Sequence, residues 1–451
     1  MADVTIIGAG PVGSLLALTL ARRGFTVEIF ERRQDMRRVP QAAGRSINLA
    51  VSTRGLHALH EVGLDADVLR EAVPMPGRMT HAPDGQTQFL PYGRDASEFI
   101  NSMSRSGLNK LLMTRAEESG KVTIEFGQRL VGYDLDARKA TFRDERTDAE
   151  HAVTAPVIVG ADGSASALRY AMLDQRGLRV KQDMLSAGYK ELTMPAAPGG
   201  GFAMEEHALH IWPRGSFMLI ALPNLDESFT CTLFLPFEGP ASFESLRTEA
   251  NAVAFFEEHF PDAVKLIPGL GAQFVAAPLG RMVTVKAWPW AWGGALLLGD
   301  AAHAIVPFFG QGMNAGFEDV SLLSAMLDGA SPDWASVFAR FAEQRKPDAD
   351  AIADLAVENF TEMRDKVADP AFLAQRAVEV ELQKRMPGRY LTRYQLVTFT
   401  RAPYRVALQA GKIQEGILSE LAATPDYDRG VKLAEERLVP LLREHGLLGT
   451  P

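Results

Sequence analysis

The chain has 451 residues, 47% of them apolar, with 47 basic and 56 acidic side chains and a formal net charge of -9. That length exceeds what one hydrophobic core usually holds, so two or more packed units are expected. The negative charge argues against a nucleic-acid partner, and a lone cysteine, Cys231, excludes an intrachain disulfide, a thiolate metal cluster and a dithiol redox pair.

The first element is an apolar strand, Val4-Thr5-Ile6-Ile7, which runs into Gly8-Ala9-Gly10-Pro11-Val12-Gly13 and a helix start. Gly8, Gly10 and Gly13 leave backbone N–H groups bare at the positive end of that helix, an arrangement suited to a pyrophosphate. Glu31 closes the next apolar run, Val27-Glu28-Ile29-Phe30, where a carboxylate accepts hydrogen bonds from ribose hydroxyls. Strand, turn, helix and acid in that order predict a nucleotide with an adenosine half. Arg32 and Arg33 follow the acid and equally suit a 2′-phosphate, so this end leaves open which dinucleotide is held. The apolar start lacks a basic flank and contains the nucleotide loop, so it reads as a first βα unit and not a signal peptide. Apolar runs break well short of about eighteen residues, so no membrane contact and a cytoplasmic location are expected.

A helix follows over 53–62, ended by Gly63, and then a turn-rich stretch, 78–101, whose Pro83-Asp84-Gly85 predicts a hairpin. Ser104 is a plausible cap for a helix to residue 119, with Gly120 at its exit. βαβ-like sequence resumes to about residue 180 and includes Val157-Ile158-Val159-Gly160-Ala161-Asp162-Gly163, a strand ending in an Asp-Gly turn, with Arg169 in the next helix. Strand-like runs over 183–235, among them 207–212 and 217–222, predict a second sheet, with Cys231 as core packing. The chain is expected to return to the nucleotide unit near Ala276, and Trp288, Trp290 and Trp292 read as structural.

Leu297-Leu298-Gly299-Asp300-Ala301-Ala302-His303 then ends an apolar strand in an aspartate suited to a polyol. A ribityl chain is such a polyol and nicotinamide nucleotides lack one, so this end points to FAD. Past Pro307-Phe308-Phe309, the run Gly310-Gln311-Gly312-Met313-Asn314 lets backbone N–H groups approach a flat ring. The helix beginning near Met313 points its positive end there, which stabilises the anion of a reduced flavin. Only one nucleotide loop of the opening type is present, so a second, dedicated nicotinamide domain is not expected. Helical patterns fill the rest of the chain. The predicted class is α/β: a discontinuous Rossmann-like FAD-binding domain (1–70, 103–180 and 276–370), an inserted β-sheet substrate domain (71–102 and 181–275), and a C-terminal helical region (371–451).

Taken together, these segments resemble the FAD-dependent aromatic hydroxylases, the single-component flavoprotein monooxygenases related to p-hydroxybenzoate hydroxylase. The resemblance implies that Asp162 lies near FAD and NADPH and that Gly299 and Asp300 contact the ribityl chain. It is strongest to the members acting on L-kynurenine, through Gly44-Arg45-Ser46-Ile47-Asn48-Leu49-Ala50, Tyr189-Lys190-Glu191-Leu192, His210-Ile211-Trp212-Pro213, residues 307–314 and Arg393-Tyr394-Gln395-Leu396-Val397-Thr398-Phe399. It runs over essentially the whole chain.

What the resemblance implies is non-covalent FAD, with Arg45 and Arg105 among its contacts, NADPH and O2 as co-substrates, and hydroxylation of L-kynurenine to 3-hydroxy-L-kynurenine through a flavin C4a-hydroperoxide in tryptophan catabolism. It further implies that Arg78 and Tyr92 bind the substrate carboxylate and that Asn359, Met363 and Tyr394 line the pocket. Asn359 and Met363 are four apart and share a helix face. Pro307, Phe308 and Phe309 are expected to form a wall that keeps the site dry. Phe309 stands where some bacterial relatives carry histidine, and it cannot transfer a proton. Eukaryotic members often carry a C-terminal membrane anchor; this chain departs from that, so a soluble protein is expected. Two alternatives are a same-fold hydroxylase of a phenolic acid such as salicylate, and a non-catalytic binder like the GDP-dissociation inhibitors.

Overall fold

Val4–Ile7 is buried along its whole length, as a strand must be when helices cover both faces of a parallel sheet. In the computed structural model it sits inside a six-stranded sheet in the order Ala291–Trp292, Ala295–Leu297, Ile158–Gly160, Val4–Ile7, Val27–Glu31, Val122–Phe126. All neighbours are parallel except the first pair. The structure describes residues 2–39, 48–95, 97–329, 331–362, 370–422 and 426–448.

The helix Pro11–Arg22 buries Leu15, Leu16, Leu18 and Leu20 beneath this sheet. Its turn admits only glycine at two places. Gly8 has φ +100° and a Cβ there would meet the Ala161 carbonyl at 2.7 Å, while a Cβ on Gly13 would lie 2.1 Å from the Gly8 carbonyl. Ser104 caps the helix Arg105–Glu118 by accepting from the Gly107 N–H, as its position just ahead of the helix predicts.

A second sheet has seven strands in the order Gly280–Trp288, Arg179–Met194, Phe229–Pro236, Phe217–Pro223, Ala208–Arg214, Gly77–His81, Thr87–Pro91. Gly77–His81 joins Ala208–Arg214 in parallel and pairs with Thr87–Pro91 as an edge hairpin, closed by the Ala82 N–H to Gln86 carbonyl bond with Gly85 at φ +84°. The helices Glu249–His259 and Leu270–Ala276 cover one face over a core of Trp212, Phe229, Cys231, Phe256 and Phe274.

Two stretches differ from the sequence reading. The chain does not rejoin the parallel sheet near Ala276: Gly280–Trp288 pairs antiparallel with Arg179–Met194 in the second sheet, so the return comes at Ala291. Nor is the crossover after Val122–Phe126 a simple βα unit. Gln128–Asp134, Lys139–Asp144 and Glu150–Thr154 form an antiparallel meander, because the Asp134 and Asp144 carboxylates each accept backbone N–H groups two and three residues on and fold tight turns.

Beyond Gly312–Ala325, the helices Trp334–Thr361, Pro370–Arg385, Arg393–Thr398, Tyr404–Ala422, Tyr427–Arg437 and Val439–Glu444 build a separate apolar cluster that also takes in Phe309 and Ala315. That shared cluster places the C-terminal helices against the loop 305–311.

Candidate functional site

The glycine turn is held from behind. Asn109 Nδ2 and Ser14 Oγ donate to the Ala9 carbonyl at 2.9 and 3.2 Å, and Glu31 accepts from the Ala9 and Arg33 N–H groups at 2.9 Å each. Gly10 caps Pro11–Arg22 without a side-chain hydrogen bond, and a Cβ built on it meets nothing within 4 Å. The helix start is therefore uncapped beside open space, the condition a pyrophosphate requires. Arg32, next to Glu31, and Arg105, the first residue of Arg105–Glu118, are exposed. Arg45 lies outside the described residues.

Asp162 turns inward. One carboxylate oxygen accepts the Ala167 N–H at 2.7 Å, the other is buried without a partner, and burial raises its pKa. Arg169, 1% exposed, donates to the Ser164 carbonyl at 2.5 Å and to the Ala301 carbonyl at 2.8 Å. It thus ties the Asp-Gly turn to the Gly-Asp turn. Gly299, at φ +58°, sends the chain into the short helix Asp300–His303. Asp300 heads that helix, exposed, and its carboxylate makes no hydrogen bond among the described residues.

Behind this turn lies a buried ionic network that sequence reasoning missed. Asp319 accepts from Gly299 N at 3.1 Å, His303 Nε2 at 2.6 Å and Arg345 Nε at 2.7 Å. Arg345 also pairs with Glu318 at 2.8 Å, and Glu318 pairs with Arg54, whose guanidinium reaches the Val397 and Ala402 carbonyls and stacks on Tyr404. The network runs from the Gly299 turn to the C-terminal helices. Its members come from helices far apart in the chain, so spacing carries no signal of it.

Gly310 takes φ +64° and Gly312 opens the helix Gly312–Ala325, one residue before the expected start, with no side-chain cap on its first turn. Met313 is partly exposed there. Asn314 has a fully buried side chain, donating to the Ala50 and Gly310 carbonyls at 2.8 and 2.9 Å and accepting the Ser52 N–H at 3.0 Å. With every polar position used inside the protein, it shapes the loop, and only its backbone N–H is left to face a ligand.

Next to this loop the structure brings together most of the residues expected at the substrate. Tyr394 stacks between Tyr92 (5.2 Å, 17°) and Phe309 (5.7 Å, 19°). Phe308 stacks on Phe360 at 4.4 Å and contacts Phe234 at 5.1 Å, with partly exposed Pro307 before it. Asn359 donates from Nδ2 to the Phe308 carbonyl at 2.7 Å, which makes it a strut of the wall. Met363 lies outside the described residues.

Arg78 is half-buried and forms no ion pair among the described residues. Its charge acts on both tyrosines: burial pushes Tyr92 well above the usual phenol range and Tyr394 up to about 12, with Arg78 pulling against both shifts. Both phenols therefore stay protonated at neutral pH, donors beside an unneutralised cation. A small carboxylate fits that set.

The open helix ends, the uncommitted Asp300 carboxylate and the aromatic wall fit a flavin dinucleotide beside an aromatic acid. Residues 1–356 match the FAD binding domain family, which defines the class as an FAD-binding flavoprotein. The chain is 55% identical over 449 residues to a kynurenine 3-monooxygenase of Myxococcus xanthus, covering 98% of this chain and 97% of the relative. It is 47% identical to one of Stenotrophomonas maltophilia, covering 94% and 93%. The chain belongs to this kynurenine 3-monooxygenase family. In fold it is similar to p-nitrophenol 4-monooxygenase from Pseudomonas putida, with TM-score 0.64 and 18% identity over 95% of this chain and 98% of that one. No helix among the described residues is long and apolar enough to cross a membrane.

Proposed function

We propose that the protein hydroxylates L-kynurenine to 3-hydroxy-L-kynurenine, with non-covalent FAD and with NADPH and O2 as co-substrates, in the cytoplasm. The observation that carries the reading is the unpaired Arg78 guanidinium beside two protonated phenols, next to an aromatic wall. When bound, FAD supplies the activated oxygen, with electrons drawn from NADPH.

In this reading the backbone at Gly8, Gly10 and Gly13 holds the pyrophosphate, Glu31 the ribose, and Arg32, Arg45 and Arg105 the surrounding polar groups of the cofactor. Gly299 and Asp300 take the ribityl chain, Asp162 flanks it, and Gly310, Gly312, Met313 and Asn314 frame the ring with backbone N–H groups. Arg78, Tyr92 and Tyr394 fix the amino-acid end of the substrate. Asn359 and Met363 line the pocket, and Pro307, Phe308 and Phe309 exclude water, because in a wet site activated oxygen is lost as hydrogen peroxide. The substrate's arylamine supplies the electron density for attack at its neighbouring carbon. No protein base is needed to ionise a phenol, so phenylalanine at 309 is compatible with the chemistry.

Two variants separate cofactor roles from folding. Gly10→Ala is expected to leave the melting temperature of the FAD-free protein unchanged, because the added Cβ meets no protein atom within 4 Å, and to weaken FAD binding in a fluorescence-quenching titration. Equal FAD affinity would remove Gly10 from the cradle. Asp300→Ala is expected to lower flavin content on purification, read as the ratio of flavin to protein absorbance; undiminished content would refute the polyol assignment. The function itself is tested by NADPH oxidation. L-kynurenine should stimulate it with hydroxylated product, and salicylate should not; the reverse pattern would transfer the site to a phenolic acid.

A further inference from the structure

On the strand Gly77–His81, His81 lies three residues from Arg78, so the two side chains point to opposite faces of the seven-stranded sheet. Behind Arg78, His81 Nδ1 is 2.8 Å from Asp262 Oδ2, His81 Nε2 is 2.9 Å from His210 Nδ1, and His210 Nε2 is 2.8 Å from the Glu205 carbonyl. Trp212 Nε1 also donates to Asp262 Oδ2 at 2.8 Å, and its ring stacks on His81 at 4.0 Å. His81 and His210 are 6% and 2% exposed, so water does not replace these partners.

Each link of this chain needs one proton, three in all, and two neutral imidazoles supply two. The third has one place to go. Burial opposes ionisation of Asp262, yet the bonds from His81 and Trp212 hold its carboxyl down at about 2, so it is a carboxylate. Burial holds His210 down at about 4, so it carries a single proton, on the nitrogen facing the Glu205 carbonyl. The third proton therefore belongs to the Asp262–His81–His210 chain and is shared along it. The other charges facing the pair are the Glu205 side chain, ahead of Ala208–Arg214, and Arg214. The Arg214 guanidinium donates to the His81 and His259 carbonyls at 2.9 and 2.7 Å.

We propose that His81, His210 and Asp262 are positioning residues for the substrate: their shared proton latches the edge hairpin bearing Arg78 and Tyr92 onto the strand Ala208–Arg214. The proposal rests on the reading of Arg78 as the carboxylate clamp. When the third proton leaves, two imidazole lone pairs face each other across the His81–His210 link. The hairpin is a sheet edge, bonded to the sheet on one side only, so it shifts to relieve them and Arg78 loses its place.

The test is Asp262→Asn in the FAD-loaded enzyme, titrated with L-kynurenine through the flavin absorbance change. Asparagine keeps an acceptor for His81 and removes the charge that retains the proton. Affinity equal to the unmodified enzyme at about pH 6 and roughly tenfold weaker at about pH 8 is expected. A deficit equal at both pH values, or none at either, would overturn the latch. As a second measurement, nitrogen-15 spectra of the unmodified enzyme at neutral pH should show His81 protonated on both nitrogens and His210 on Nε2 alone; two neutral rings would overturn it independently. Arg78→Ala serves as the control. If it leaves affinity intact, the clamp reading fails and the positioning role falls with it, whereas an intact clamp with a pH-independent Asp262→Asn defeats the latch alone.

Discussion

Arg78→Ala is expected to weaken L-kynurenine binding by about 2–5 kcal/mol, the usual consequence of leaving a buried carboxylate without its guanidinium. That is roughly 30-fold to several thousand-fold in Kd. The effect should be large because no carboxylate of the described residues neutralises Arg78, so the ligand is its counter-ion. The two phenols beside it cannot substitute, since they remain neutral donors at physiological pH. Arg78→Lys should recover part of the affinity, because an ammonium restores the charge and not the bidentate fork. FAD content should not change in either variant. Titration by flavin absorbance reads both quantities, and unchanged L-kynurenine affinity in Arg78→Ala would take the residue out of the site.

The second large effect is expected from Asp319→Ala, which acts through the cofactor loop. Two guanidiniums, Arg54 and Arg345, are balanced in the interior by Glu318 and Asp319. Removing one carboxylate leaves a buried positive charge unpaired and the Gly299 N–H without an acceptor, at a cost of about 3–5 kcal/mol. The expected result is a lower melting temperature together with loss of bound flavin. Asp319→Asn should be milder, since it keeps an acceptor for Gly299. Burial alone would raise the Asp319 pKa, but His303 and Arg345 hold it below the usual carboxylate range. A depressed folded-state pKa contributes stability that is fully present above the unfolded value and lost as pH falls through the folded one. The network should therefore hold at neutral pH and fail only in acid. Retained flavin and an unchanged melting curve in Asp319→Ala would contradict this account of the loop.

The parts of the site built from backbone were legible in the sequence. Gly8, Gly13 and Gly299 are where they are because a Cβ or a negative φ does not fit, and such positions leave a readable glycine in a readable order. The cap at Ser104 and the turn at Pro83-Asp84-Gly85 are equally local. Residues that act across long separations were not legible. Asp319 meets His303 and Arg345 from different helices, and His81 meets His210 and Asp262 from a strand and a distant turn, so spacing in the chain carries no trace of them. Asn314 is legible only in part: its place in a glycine-rich motif suggests a backbone N–H facing a ligand, but nothing local shows that its side-chain amide joins Gly312–Ala325 to Leu49–Val51. Arg78 and Tyr92 were named only through resemblance, because an arginine on an edge hairpin carries no local mark of its ligand.

The most direct test of the central claim is a single turnover mixture of the FAD-loaded protein with NADPH, L-kynurenine and isotopically heavy O2, analysed by mass spectrometry. The account predicts 3-hydroxy-L-kynurenine carrying one heavy oxygen atom on the ring. NADPH consumption that yields only hydrogen peroxide, or a protein that retains no flavin at all, would contradict it.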